Sequence, residues 1–296
     1  MSAIILTTRP DGVAVLTFNQ PGKANVLTQE LWTEFGNTLG YLAKNPNVKG
    51  LVLASAKPDI FIAGADLKLL ANATGPDDPA VRAFIDQGLR VLEQLENLPF
   101  PTCAAVDGAA LGGGLEVVLA CDYCVCSKRQ KVQFGLPEVK LGLIPGWGGT
   151  QRLPRIVGME KAAKMLMSGA SMIAEAAEVA GLAGIEDVPD LVEVAAQFLL
   201  ELQVTAGVQA ALGGGPVWRD ERENKRQPVP TSLQDMVTTV TSDAPLAVRL
   251  AIRVMVEGST LQLHEGLEVE TAAFMQLAGS GESKRLIAEF FASRKK

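Results

Sequence analysis

Three short runs limit how this chain can fold. "VKGLVLAS" at 48–55, "PTCAAVDG" at 101–108 and "YCVCS" at 123–127 are apolar at successive positions rather than at every second one. A strand with one wet face alternates, whereas a strand covered on both faces does not. Between and before these runs lie segments with helical spacing. "TQELWTEFGNTLGYLAK" begins at Thr28, a suitable N-cap; "ADLKLLAN" is short; and "VRAFIDQGLRVLEQLENL" is long and ends before Pro99. Strand and helix alternating in this way predict an α/β domain whose sheet is sandwiched by helices. At the start, "AIILTTRPDGVAVLTFN" reads as two strands joined by a Pro-Asp-Gly turn, a hairpin.

After about residue 150 the strand pattern stops. "MEKAAKMLMSGA", "AEAAEVAGLAG", "DLVEVAAQFLLELQV" and the chain from Leu246 onward read as helices and their connections. The segment 213–232, "GGGPVWRDERENKRQPVPTS", combines Gly, Pro and a charge run, as an exposed connection does. The expected organisation is an α/β core over residues 1–205 and a helical region over 206–296.

Composition removes several function classes. The 296 residues are 48% hydrophobic, with no apolar run long enough to span a bilayer, so no membrane helix is expected. "MSAIILTTRPDG" lacks the basic and apolar regions of a secretory signal, which points to the cytoplasm. A net charge of −6 without a basic cluster gives nucleic acid no electrostatic footprint. Cys121, Cys124 and Cys126 lie together, but their spacing fits no common zinc pattern and the one histidine, His264, is distant. They and Cys103 read as reduced, buried thiols, and no metal is expected.

Three glycine-bearing turns lead from strand to helix: "FIAGADLK" at 61–68, "DGAALGGGLE" at 107–116 and "LGLIPGWGGTQRL" at 141–153. Each can turn unpaired N–H groups at a helix start into a cleft, and two such donors on one oxygen form an oxyanion hole. A phosphate cradle is the rival use, but neither the P-loop pattern nor G-x-G-x-x-G is present. The stretch opening with "AALGGGLE" at 109–116 reads as helix, and Glu116 falls in the first turn of its apolar run. That position suits a carboxylate by the helix dipole alone, yet its neighbours Leu115, Val117, Val118 and Leu119 imply burial, which favours a chemical task. Glu138, after Pro137 in "FGLPEVKLG", is either a loop charge or a second acid/base group.

Those three turns, with "FNQPGKANVLTQEL" at 18–31 and "ACDY", resemble the crotonase (enoyl-CoA hydratase/isomerase) superfamily in order and spacing. Farther on, "LMSGASMIAEAAEVAGLAG", "ENKRQP" and "EGLEVETAAFMQLAGSGESKRLIAEFF" resemble the N-terminal hydratase/isomerase half of bacterial multifunctional fatty-acid oxidation alpha subunits, which continue into a dehydrogenase where this sequence stops at Lys296. The resemblance implies a crotonase-like (ClpP/crotonase) α/β spiral of β-β-α units with a helical C-terminal portion. It makes the amides of Ala65 and Gly113 an oxyanion hole, Glu116 and Glu138 the acid/base pair, and the Gly146 amide a neighbour of the reacting water. It places the coenzyme A moiety along Lys23, Ala24 and Val26, along Ala63, Asp66, Leu67 and Lys68, and against Gly112, with Trp147 and Leu69 near the acyl tunnel. It further implies an acyl-CoA substrate in fatty acid metabolism, no cofactor beyond the substrate's own coenzyme A, and a homo-oligomer, trimer or hexamer, whose C-terminal helices complete a neighbour's site. A separate dehydrogenase is the expected partner. Hydration of a 2-enoyl thioester is the activity implied, with double-bond isomerisation or noncatalytic acyl-CoA binding as alternatives.

Overall fold

The structure, a computed structural model, describes residues 2–211, 230–231 and 244–294. The chain opens with the hairpin β1 (Ile4–Thr8) and β2 (Val13–Phe18), in antiparallel register from Ile4 opposite Phe18 to Thr8 opposite Ala14. The Pro-Asp-Gly turn closes as read: the Asp11 carboxylate accepts from the Val13 amide at 3.0 Å, and Gly12 takes a φ of 94°. Helix α1 (Gln29–Leu42) starts where Thr28 accepts from the Leu31 amide at 3.1 Å.

Three β-β-α units follow. β3 (Gly50–Ser55) leads to β4 (Ile60–Ile62) and helices α2 (Leu67–Ala71) and α3 (Pro79–Glu96). β5 (Thr102–Val106) leads to β6 (Ala109–Leu111) and α4 (Gly113–Ala120); β7 (Tyr123–Ser127) leads to β8 (Gln133–Gly135), a 3-10 turn at Glu138–Leu141, α5 (Gly149–Val157) and α6 (Met159–Ser168). Then come β9 (Ser171–Ile173), α7 (Ala174–Val179), β10 (Gly184–Glu186), α8 (Leu191–Ala211), α9 (Leu246–Gly258), α10 (Leu263–Leu277) and α11 (Gly281–Ser293). The first strand of each unit joins a six-stranded sheet ordered β1-β2-β3-β5-β7-β10, and the second joins a four-stranded sheet ordered β4-β6-β8-β9. This is the expected spiral. The expected connection at 213–232 lies outside the described residues, apart from Pro230 and Thr231.

The continuous apolar runs are explained by cover on both faces. Ala14, Leu16, Leu51, Leu53, Ala104 and Val106 face the main core, whereas Val13, Val15, Val52, Cys103, Ala105 and Val125 face a second core closed by Leu191, Ala195, Ala196 and Leu199 of α8. All four cysteines are buried and form no disulfide; burial pushes the Cys126 thiol up to about 12, so it packs as neutral apolar filler.

Two readings are corrected. "AAL" at the start of the glycine-rich stretch is strand β6 rather than helix, and the region after residue 150 is not wholly helical, since β9 and β10 lie within it. Strands of three residues carry too little period to read, and backbone pairing to β8 and β7 is what holds these two extended.

Close approach to the second sheet also explains one glycine of α4. A Cβ on Gly114 would sit 2.3 Å from the Ile62 carbonyl oxygen, so only glycine lets the helix lie on β4. Gly114→Ala is expected to cost about 1–3 kcal/mol by overpacking. Gly40→Ala in α1, where nothing lies within 4 Å of the added carbon, should gain roughly 0.5–1 kcal/mol. Urea unfolding of the two variants checks both signs.

Candidate active site

The spiral brings the three glycine turns to one cavity of about 270 Å³. At the first turn, Leu27 lies beside Ala65 in a parallel bridge: the Leu27 amide donates to the Gly64 carbonyl (2.9 Å) and the Asp66 amide to the Leu27 carbonyl (3.0 Å). The Ala65 amide faces away from that ladder and meets no acceptor among the described residues. Buried Asn25 secures this loop, its Nδ2 donating to the carbonyls of Phe18 (3.2 Å) and Phe61 (3.0 Å) and to Ser55 Oγ (2.9 Å). Sequence reading assigned Asn25 no role.

At the second turn Gly112 adopts a φ of 54° and α4 begins without a side-chain cap, leaving the Gly113 amide without an acceptor among the described residues. The two turns touch: a Cβ on Gly112 would lie 3.7 Å from the Gly64 Cα and 2.8 Å from Glu138 Oε1. Gly113 is needed for a different contact, because its Cβ would meet the Trp147 ring at 2.5 Å. Trp147 is fixed edge-on to Trp32 and Phe84, with centroids 5.0 and 5.1 Å away, and donates from Nε1 to the Ile85 carbonyl at 3.2 Å.

Three carboxylates converge here. Glu116, 1% exposed, accepts at Oε1 from the amides of Trp147 (2.7 Å) and Gly149 (2.8 Å). Burial, then the charges of Glu270 and Glu138, hold its carboxyl well above the usual range. Glu138 is half-buried as a side chain, but its Oε2 is shut from solvent with no hydrogen-bond partner among the described residues. Burial pushes it up to about 8, with the Glu270 charge adding to the shift. The third, Glu270 of α10, was not singled out from the sequence. It is fully buried and accepts from the Gly148 amide (2.6 Å), the Thr150 amide (2.8 Å) and Thr150 Oγ1 (2.5 Å). Burial outweighs those bonds and raises it to about 7. A signal for it existed: Ala273, Phe274 and Leu277, also buried, follow at helical spacings of three, four and seven, which puts a carboxylate on the apolar stripe.

Of the expected site residues, Ala63, Ala65, Leu67, Gly112, Gly113, Glu116, Glu138 and Gly146 line the cavity, with Trp147. Lys23, Ala24, Val26, Asp66, Lys68 and Leu69 do not. Lys23 and Lys68 are exposed, and Asp66 caps α2 by accepting from the Lys68 amide at 3.0 Å. His264 is exposed on α10, away from the cavity. Phe274 of α10 and Phe290 and Arg294 at the end of α11 also line this cavity; α11 packs on α2 and the 138–141 turn and so reaches the site directly.

Residues 8–204 match the enoyl-CoA hydratase/isomerase family model. The chain belongs to this family. Curated relatives agree: fatty acid oxidation complex subunit alpha of Shewanella halifaxensis is 36% identical over 303 residues, covering 97% of this chain, and that of Shewanella putrefaciens is 35% identical over 311. The chain spans about 40% of the length of these relatives. Among solved structures, an enoyl-CoA hydratase from Bacillus anthracis superposes with a TM-score of 0.63 at 28% identity, covering all of this chain and 97% of its own. One from Bacillus halodurans reaches 0.68 at 22% identity, covering 97% of this chain and all of its own, and shares the fold. No helix among the described residues of this family member is long and apolar enough to cross a membrane.

The raised Glu138 carboxyl gives stability a definite pH sign. It titrates near 8 in the fold against an ordinary 4.5, so its favourable contribution is complete below about 4.5 and is lost as pH rises through 8. Glu138→Gln should therefore melt close to wild type at pH 4 and above it at pH 9, which thermal unfolding across that range checks.

Proposed function

We propose that the protein is an enoyl-CoA hydratase, adding water syn across the 2,3-double bond of a 2-enoyl-CoA thioester to give a 3-hydroxyacyl-CoA. The observation that carries this reading is the pairing, in one apolar cavity, of two unclaimed amides with two carboxyls held above the usual carboxylate range.

Attack at the β carbon moves charge onto the thioester oxygen. The Ala65 and Gly113 amides stabilise it there, and losing one such donor typically costs about 10²–10³-fold in rate. Water gives its hydroxyl to the β carbon and a proton to a carboxylate, and a proton held by the pair is delivered to the α carbon on the same face. Two buried carboxyls that repel one another cannot both ionise near neutrality, so one stays protonated while the other acts as base. Glu116 is oriented by its two amide donors, and Gly146, packed close to Ile85 and Phe274, presents its backbone beside the water. The chemistry needs neither metal nor cofactor, because the charge develops on an oxygen that amides can hold.

Lys23 and Lys68, exposed outside the cavity, suit the phosphates of a coenzyme A that stays in solvent. A cytoplasmic homo-oligomer, trimer or hexamer, whose product passes to a separate dehydrogenase completes the reading. One observation favours a second activity: Glu138 Oε2 has no described partner, so it is a base free to shuttle a proton between α and γ carbons, as 3,2-isomerisation requires.

Loss of the conjugated enoyl absorbance reports hydration, and its gain from a 3-enoyl thioester reports isomerisation. Glu116→Gln and Glu138→Gln should each lower hydration by about 10²–10⁴-fold. Undiminished hydration in both variants removes this mechanism.

A further inference from the structure

The turn that orients Glu116 is held from two sides. Its four amides from Trp147 to Thr150 point alternately: 147 and 149 to Glu116 of α4, and 148 and 150 to Glu270 of α10. Among the described residues no other acceptor meets these amides: Gly148 stands at a φ of 98° and α5 starts without a side-chain cap. A Cβ on Gly149 would lie 3.1 Å from Glu116 Oε1, so a small shift of this backbone moves the carboxylate directly.

Resting on the hydratase reading, we propose that Glu270 is a positioning residue for the reaction. By holding the Gly148 and Thr150 amides it fixes the turn so that the Trp147 and Gly149 amides meet Glu116, and it acts on the substrate only through Glu116.

The groups around Glu270 support a role beyond packing. Arg152 faces it from α5 but is already committed, its Nε and Nη2 to Glu96 of α3 at 2.6 and 2.8 Å and its Nη1 to the Trp147 carbonyl at 2.7 Å. Gln151 bridges Thr150 Oγ1 (2.9 Å) to the Val254 carbonyl of α9 (3.2 Å), and Arg155 is spent on the carbonyls of Gln151, Gly258 and Leu261. Across the turn stand Glu116 and Glu138, both of which the Glu270 charge raises. A side chain that only filled space would need no charge there, and a buried charge is costly to keep.

Glu270→Gln preserves the shape but can accept from only one of the two amides and carries no charge. Two readouts test it: steady-state hydration of a 2-enoyl-CoA, and the titration of Glu116 followed by ¹³C NMR of carboxyl-labelled glutamate, assigned with Glu116→Gln. The expected result is a folded protein whose kcat falls about 10- to 100-fold with KM nearly unchanged, as small misplacements of a catalytic group cause. The Glu270 charge weighs more on the Glu116 carboxyl than either amide bond does, so its removal should also move the Glu116 midpoint down even as the amides are displaced. The proposal is overturned if kcat or the Glu116 titration stays as in wild type, if the loss is confined to KM, or if the variant does not fold. Should wild-type protein hydrate no enoyl-CoA of any length, the hydratase reading fails by itself, and the Glu116 titration alone still decides whether Glu270 sets its environment.

Discussion

The Trp147–Thr150 turn, with a buried carboxylate on either side, is the point on which the rest of the site depends. Backbone amides are obligatory donors, and four in a row at a buried helix start would be expensive without acceptors. Glu116 and Glu270 supply those acceptors, and the amides in return make two buried carboxylates tolerable. The same turn carries Trp147, whose ring is wedged between Trp32 and Phe84 and covers Gly113. Position, charge and shape of the cavity are thus set by one short segment.

That segment can be supported from both sides because of how the chain spirals. Each β-β-α unit sends one strand to each sheet, so the strand-to-helix turns stack at the same edge and their glycines touch. Continuous apolar strands follow from the same plan, with the main core on one face and α8 on the other. The C-terminal helices are the remaining wall: α10 lines it with Phe274 and holds Glu270 behind the turn, and Phe290 of α11 closes the side near α2.

Features decided by neighbours in sequence were legible. The hairpin turn at Asp11 and Gly12, the Thr28 cap and the buried strands all rest on local chemistry or on a run of one residue class. Ala65, Gly113, Glu116 and Glu138 were legible because a glycine turn and a misplaced carboxylate each break a local rule, and the family motif joins them. What escaped depends on distant partners. Three-residue strands such as β6 and β10 exist because another strand lies alongside. Glu270 reads as one more acid beside the exposed Glu265 and Glu268 until α10 is laid against a turn about 120 residues earlier in the chain. Asn25 was hidden likewise, since its acceptors lie on three separate elements.

The alternating amides also give the turn a parity. Even-numbered donors serve one acid and odd-numbered donors the other, so the two pairs interleave and neither acid's donors can shift without moving those of the other. Two acids on separate helices, α4 and α10, are therefore coupled through a single stretch of backbone rather than through any contact of their own.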